Sequence, residues 1–397
     1  MRTGTGAHGF IDLATNTYRN MEIDDVETIA RLANGLDQVG FVAHPFAYGV
    51  HELTADIHAV ARLITHTDKH IWLQPYNVEN VEYLMKICAV AAGGEDALRA
   101  RPIASTIMCS FSPLEFKVMD IEALIQSGRA GLAVHACALP SAGGTAPLSV
   151  AGNVVMALSE ILAMIALAHV LAPGTPIIAT PLMFTLDMAT GQALHACPES
   201  IQAKALAVAA LHDLGLITHT YGMGSDTPDS GRQSASERMA LGEAVALAGA
   251  DILGGVGQLE TATVFSPVQA VLDDEAGAYL RALTTCPEIS DAAMNWDELR
   301  KVATGGHFLQ SPHTLAHCRS QFRPHIWQRQ GRDDYEAAGR KAAWEAARER
   351  ALALIAAPLP AGLPDQSAQD EIAEIVAAAD RHIIGAHQTI AGKREVI

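Results

Sequence analysis

"IASTIMCSFSPLEFKVMDIEALIQSGRAGLAVHA", residues 103–136, holds two β-type runs, IASTIMC at 103–109 and LAVHA at 132–136, on either side of an amphipathic stretch at 118–128. Two strands joined through a whole helix cannot pair as a tight hairpin, so the segment reads as parallel strands with a right-handed crossover. The same unit recurs along the chain. Runs at 39–43, 70–74, 176–180, 216–221 and 251–253 alternate with helical periodicity at 54–65, 78–92, 148–171, 200–214 and 234–248. Seven such strands fit a closed barrel or an open doubly wound sheet. The open sheet should carry a glycine-rich phosphate loop after an early strand, whereas GGVGQLE at 254–260 comes late and lacks the spacing. A TIM (β/α)8-type barrel with a C-terminal helical extension is therefore predicted. HGFIDLA at 8–14 is the candidate for the eighth strand.

After Pro287 the pattern turns helical, at 335–356 and again at 370–386 beyond the break APLPAGLPDQ. The barrel domain is assigned to residues 1–325, and residues 326–397 to helices that pack on the barrel or at an oligomer interface. Apolar residues make up 49% of the 397 and charged residues 18%, enough for one large core. The net charge of −17 disfavours a broad phosphate-binding surface, so no nucleic acid partner is expected, and it suits a cationic ligand. Six cysteines lie far apart without a CxxC pair, and no apolar signal core opens the chain, so free thiols in a cytoplasmic protein are expected. Residues 148–172 are long and apolar enough to imitate a membrane span. Asn153, Glu160 and His169 within them, and the missing basic flank, favour a buried helix instead.

Barrel enzymes work at the C-terminal ends of their strands. That rule selects Gln74 and Tyr76, Cys109 and Ser110, His135 and Cys137, Thr180 and Phe184, Tyr221 with Ser225 and Asp226, and the loop from Gly254 to Glu260. Gly254, Gly255 and Gly257 would let a cofactor approach the backbone. Several chemistries lose support: no HxH pair for a barrel-type zinc site occurs, and no GxSxG elbow. GGHFLQSPHTLAHC at 305–318 resembles a zinc site on paper, but His313 and His317 have no evident third ligand and sit on a helix that Ser311 can cap. No metal is expected.

Three segments together carry a family resemblance: LPSAGGTAPLSVAGNVVMALSEILAMIALAHVLAPGTPII at 139–178, GADILGGVGQLETATVFSPVQAVLDDE at 249–275 and GGHFLQSPHTLAHCRSQF at 305–322. They resemble the trimethylamine methyltransferase superfamily, in its branch without pyrrolysine that includes glycine betaine methyltransferases. AAGGEDALRARPIASTIMCSFSPLEF at 91–116 is similar too, so the likeness runs from about residue 15 to 354. Family members usually carry several dozen further residues before the point where this chain begins, so the N-terminal part is expected to be pared down. The archetype places pyrrolysine in its site; every residue here is standard, which points away from trimethylamine itself.

The resemblance implies a barrel that removes a methyl group from a quaternary amine and passes it to the cob(I)alamin of a separate corrinoid protein. Direct transfer to a tetrahydrofolate-type acceptor is a variant, and a non-catalytic quaternary-amine-binding homologue an alternative. A homo-oligomer is expected. Such a site must hold a permanent cation, aim one methyl and exclude water. Aromatic faces and carboxylates do the holding. Phe184, Tyr221 and Phe265 are the aromatic candidates, and Asp187, Asp226 and Glu260 the carboxylates. Asp226 could equally cap a helix, and Asp187 could close a turn. For a betaine, His307 is the candidate donor to the substrate carboxylate, with Gln74 and His135 as further lining residues.

Overall fold

The computed structural model describes residues 1–4, 6–302 and 304–387. All seven expected strand segments are strands: Phe41–Ala43, His70–Leu73, Ala104–Phe111, Ala133–Ala138, Ile177–Pro181, His219–Tyr221 and Ile252–Gly254. The first five form one parallel sheet, in which Cys109 pairs with Cys137 and Cys137 with Thr180. A bridge from Ala179 to Thr218 carries the circuit to His219–Tyr221, which pairs parallel with Ile252–Gly254.

The eighth position is filled by the first residues of the chain. Thr3 bridges Val256 on one side and Arg2 bridges Phe41 on the other, both parallel, which closes a (β/α)8 barrel. The Arg2 amide donates to Leu253 O (2.9 Å) and the Gly4 amide to Val256 O (2.9 Å). This corrects the assignment of residues 8–14. Gly9–Ile11 is a strand, but it pairs with Val264–Phe265 and Tyr18–Asn20 in a small sheet beside the barrel mouth.

Helix boundaries follow local chemistry. The helix Val118–Ala130 continues past Gly128 and ends where Gly131 turns left-handed at φ 74°. The helix Pro198–Asp213 has proline in its first turn and buries Ser200, Ala203, Lys204, Ala207, Val208 and Leu211 along one stripe. The apolar helix Val150–Leu171 is only half buried. Asn153, Val154, Ala157, Glu160, Ile161, Met164 and Ala168 face the barrel, while Val155, Leu162 and Val170 are exposed. It is long and apolar enough to cross a membrane, yet Glu160 on its inner face accepts from Ser110 Oγ, Ser112 Oγ and the Leu114 amide, which ties it to the barrel.

Of the C-terminal helices, Ala343–Ile355 packs on Pro267–Thr284 and Ile23–Asn34, and Gln366–Ala379 on Val78–Ala92 and Ala55–Ile64. Between barrel and tail runs an arm of short helices, Asp291–Met294, Trp296–Lys301, Pro312–His317 and Arg332–Ala337, none of which buries a residue.

Inside the barrel a polar chain runs across the axis. Arg2 Nε donates to His219 Nε2 (3.2 Å), His219 Nδ1 lies 3.4 Å from His135 Nδ1, and His135 Nε2 lies 3.0 Å from Ser105 Oγ. Since Arg2 can only donate, His219 Nε2 must accept, so its Nδ1–H points at His135, whose own proton then goes to Ser105. Both imidazoles are neutral. Burial, with the Arg2 charge adding to it, holds His135 down to about 3 and His219 well below the usual histidine range. The Arg2 guanidinium lies 4.3 Å over the Trp72 ring, and burial lowers it to about 10.

Candidate active site

At the C-terminal ends of the strands opens a cleft of about 660 Å³, lined by Ser141, Phe184, Thr190, Gln192, Asp226, Glu260 and Thr261 among others. Its volume suits a small ligand. Phe184 comes from the short strand Phe184–Leu186, which follows barrel strand Ile177–Pro181 and pairs with Ser141–Ala142. Behind it the His195 ring is stacked parallel to Phe184, with centroids 6.3 Å apart, and meets Tyr221 edge-on at 5.0 Å. Only glycine fits beside that imidazole: a Cβ at Gly224 would lie 2.0 Å from His195 Cε1.

Asp226 is a fixed charge. Its carboxylate accepts from the His195 amide (2.8 Å), the Ala196 amide (2.9 Å) and Thr261 Oγ1 (3.0 Å). The alternative role as a helix cap is not what the structure has: the helix Arg232–Leu247 starts after Gly231.

Beside Asp226 lies a strained turn. Glu260, Thr261 and Ala262 all have positive φ, at 47°, 49° and 86°, a conformation that costs non-glycine residues on the order of 1 kcal/mol or more each. It persists because the Glu260 amide donates to Thr227 O, the Thr261 amide to Ser225 O and the Thr261 hydroxyl to Asp226. The outcome is two carboxylates, Asp226 and Glu260, lining the same cavity as the Phe184 ring.

The family model described as Trimethylamine methyltransferase (MTTB) matches residues 1–383. The chain belongs to this family. Among trimethylamine methyltransferases, MttB of Desulfitobacterium hafniense (strain DSM 10664 / DCB-2) is 30% identical over 361 residues, which are 90% of this chain and 72% of that protein. MttB of Methanosarcina thermophila is 28% identical over 321 residues, 80% of this chain and 66% of that one. The glycine betaine methyltransferase of Desulfitobacterium hafniense (strain Y51) is 26% identical over 318 residues, 79% and 66% of the two chains. The solved Methanosarcina barkeri monomethylamine methyltransferase matches with a TM-score of 0.48 at 12% identity, covering 89% of this chain and 72% of that one.

Within the barrel the sequence candidates separate. Phe184, Asp226 and Glu260 line the cleft together. Tyr221 lies one layer beneath, buried and 6.0 Å from Phe184, its phenol pushed up to about 12 by burial. His135 is deeper still, in the polar chain across the barrel. Gln74 is half buried at the end of another strand, its backbone amide donating to His44 Nε2.

Asp187 closes a turn instead: it accepts from the Ala189 amide and Thr190 Oγ1, and these bonds hold its carboxyl below the usual range. Phe265 is buried against Phe10, with its ring edge where a Gly257 Cβ would be. Gly254, Gly255 and Gly257 face protein atoms, since Cβ atoms there would meet Arg2 Nη2 at 2.8 Å, Met223 O at 2.1 Å and Phe265 Cε2 at 2.5 Å. Small size at these positions serves packing at the barrel end. His307 is exposed on the arm, outside the cleft lining.

Sequence reasoning missed Arg2, His195, Lys204 and Thr261. Lys204 had a readable signal, because it occupies an apolar stripe position on its helix. Arg2 had none, as a strand of so few residues shows no period.

Proposed function

We propose that this protein removes a methyl group from a quaternary amine of the betaine type and passes it to the cob(I)alamin of a corrinoid protein partner. The observation that carries this reading is the single cleft in which the Phe184 ring and two carboxylates, Asp226 and Glu260, converge. Family membership and the 26% identity to a glycine betaine methyltransferase support it.

The chemistry asks little acid–base work of the protein. When the N–CH3 bond breaks, its electron pair stays on nitrogen and the methyl goes to the cobalt nucleophile. The leaving group is a neutral tertiary amine, so no proton is needed there. What this chain supplies is position: the Phe184 face and Asp226 hold the cation while one methyl faces the open mouth of the barrel, where a partner can dock. Asp226 suits that task because three hydrogen bonds immobilise it before any ligand arrives.

Purified protein should demethylate at least one of glycine betaine, carnitine, proline betaine or a ring N-methyl compound, losing one methyl, with cob(I)alamin as acceptor. Turnover with tetrahydrofolate instead would change the acceptor and keep the donor reading. Tight binding by calorimetry without turnover on either acceptor would make the chain a quaternary-amine-binding homologue. Neither binding nor turnover across the panel would overturn the proposal.

A further inference from the structure

Behind the cleft wall lies a second charge that the methyl-transfer chemistry does not use. Lys204 is fully buried on the inner stripe of the helix Pro198–Asp213. Its amine donates to His195 O (2.8 Å) and lies 6.0 Å from the Phe184 ring centroid. The same His195 gives its backbone amide to Asp226. One amine therefore touches the supports of both cation-holding groups of the cleft.

We infer that Lys204 sets the charge type of ligand that the cleft accepts, disfavouring a bare quaternary monocation and favouring a zwitterion that brings its own carboxylate. The inference rests on the quaternary-amine reading above and assigns the residue that selects the betaine class within it. A buried ammonium acts on the ligand in three ways. It draws on the same Phe184 ring quadrupole that a bound cation would use. It offsets part of the Asp226 charge. It also raises the positive potential in a wall of low dielectric, which repels a monocation and is balanced by a ligand carboxylate.

The protonation of the amine adds a second signature. Burial pushes Lys204 down to about 7, with Asp226 and Cys197 pulling it back up. The other groups acting here are His195, which burial holds neutral, and the Arg238 guanidinium from the neighbouring helix, itself bonded to Asp273. As pH rises through about 7 the amine loses its proton and its repulsion of a monocation fades. Monocation affinity should then rise while zwitterion affinity holds or falls. Lys204 acts through Phe184 and Asp226, so it is a positioning and specificity residue, not a catalytic one.

Calorimetry on the full chain with glycine betaine and with tetramethylammonium, between pH 6 and 8.5, tests this directly. Wild type should prefer the zwitterion at pH 6, and the preference should shrink by about tenfold by pH 8.5. Lys204→Met, which keeps the stem and removes the charge, should show the small preference at every pH. Circular dichroism checks that the variant is folded, and the wild-type pH series stands without it. A zwitterion-to-monocation ratio that does not move with pH in wild type would overturn the inference, as would an unchanged ratio in folded Lys204→Met. Binding of neither ligand by wild type would instead sink the quaternary-amine reading, which keeps the two failures apart.

Discussion

The histidines of this chain fall into two regions of opposite character. The arm carries His307, His313 and His317 within eleven residues, so close in sequence that they suggest a metal site, yet none is buried: His307 and His317 are exposed, His313 is half-buried, and the His313 and His317 rings meet at a tilt with centroids 4.3 Å apart. His135, His195 and His219 are scattered over 85 positions, and each is buried in the barrel or its mouth against a charged or aromatic neighbour. Clustering in sequence measures local composition. Convergence in space is set by which strand ends a residue follows, and in a barrel that means residues 50 or 100 apart.

The largest effect that separates the regions is the response of stability to acid. An unfolded histidine takes up a proton near its ordinary value of about 6.5, whereas folded His135 resists until about 3. Between those values the unfolded state binds more protons, so stability falls as pH falls. His135 alone then costs about 2 kcal/mol between pH 6.5 and 5, and His219, His44 and His70, all lowered by burial, add to the same slope. Urea unfolding at pH 7 and pH 5 should show a loss of at least that size. A flat profile over that interval would mean that these imidazoles are solvated, and the neutral chain from Arg2 to Ser105 would not hold.

A smaller effect sharpens the comparison at the cleft. Phe184→Leu keeps an apolar wall of similar reach and removes the ring face. Glycine betaine should then lose about 0.5 to 2 kcal/mol, a rise in Kd of roughly 2- to 30-fold, while 3,3-dimethylbutanoate, which keeps the carboxylate and puts an uncharged tert-butyl group in place of the trimethylammonium, loses much less at the same pH. Equal losses for both ligands would assign Phe184 to packing alone.

Much of the barrel was legible because each central strand is a short apolar run bounded by turn residues, and seven of them repeat. The eighth was not, since Met1–Gly4 offers an arginine, a threonine and a glycine in place of a pattern, and only the gap between Phe41 and Val256 shows that a strand belongs there. At the site the rule of strand ends found Phe184, Asp226 and Glu260, because these follow their strands within a few residues. It also selected Gly254, Gly255 and Gly257, where small size serves packing against Arg2, Met223 and Phe265. Composition does not distinguish a glycine that admits a ligand from one that admits a neighbour. Thr261 and Lys204 escaped because their importance lies in what they hold, the strained turn and the His195 carbonyl, and those partners are 35 and nine positions away.

The smallest expected effect is at His307. Its sequence context, GGHF, offered close backbone approach and an imidazole for a substrate carboxylate, and on that ground alone His307→Ala should weaken betaine binding. In the folded chain the residue stands on the arm, outside the cleft lining, so the substitution should change Kd for glycine betaine by less than about twofold and leave thermal stability nearly unaltered. Calorimetry of the variant beside wild type decides it. A tenfold loss would carry a specific meaning, because the arm is apolar as well as exposed: Ile289, Leu309 and Leu315 are 82%, 81% and 78% accessible in the single chain. His307 would then reach a cleft only when the arm is laid against another surface. Such a loss would have to weaken on dilution if that surface is a second copy, and stay constant if the arm folds onto its own barrel.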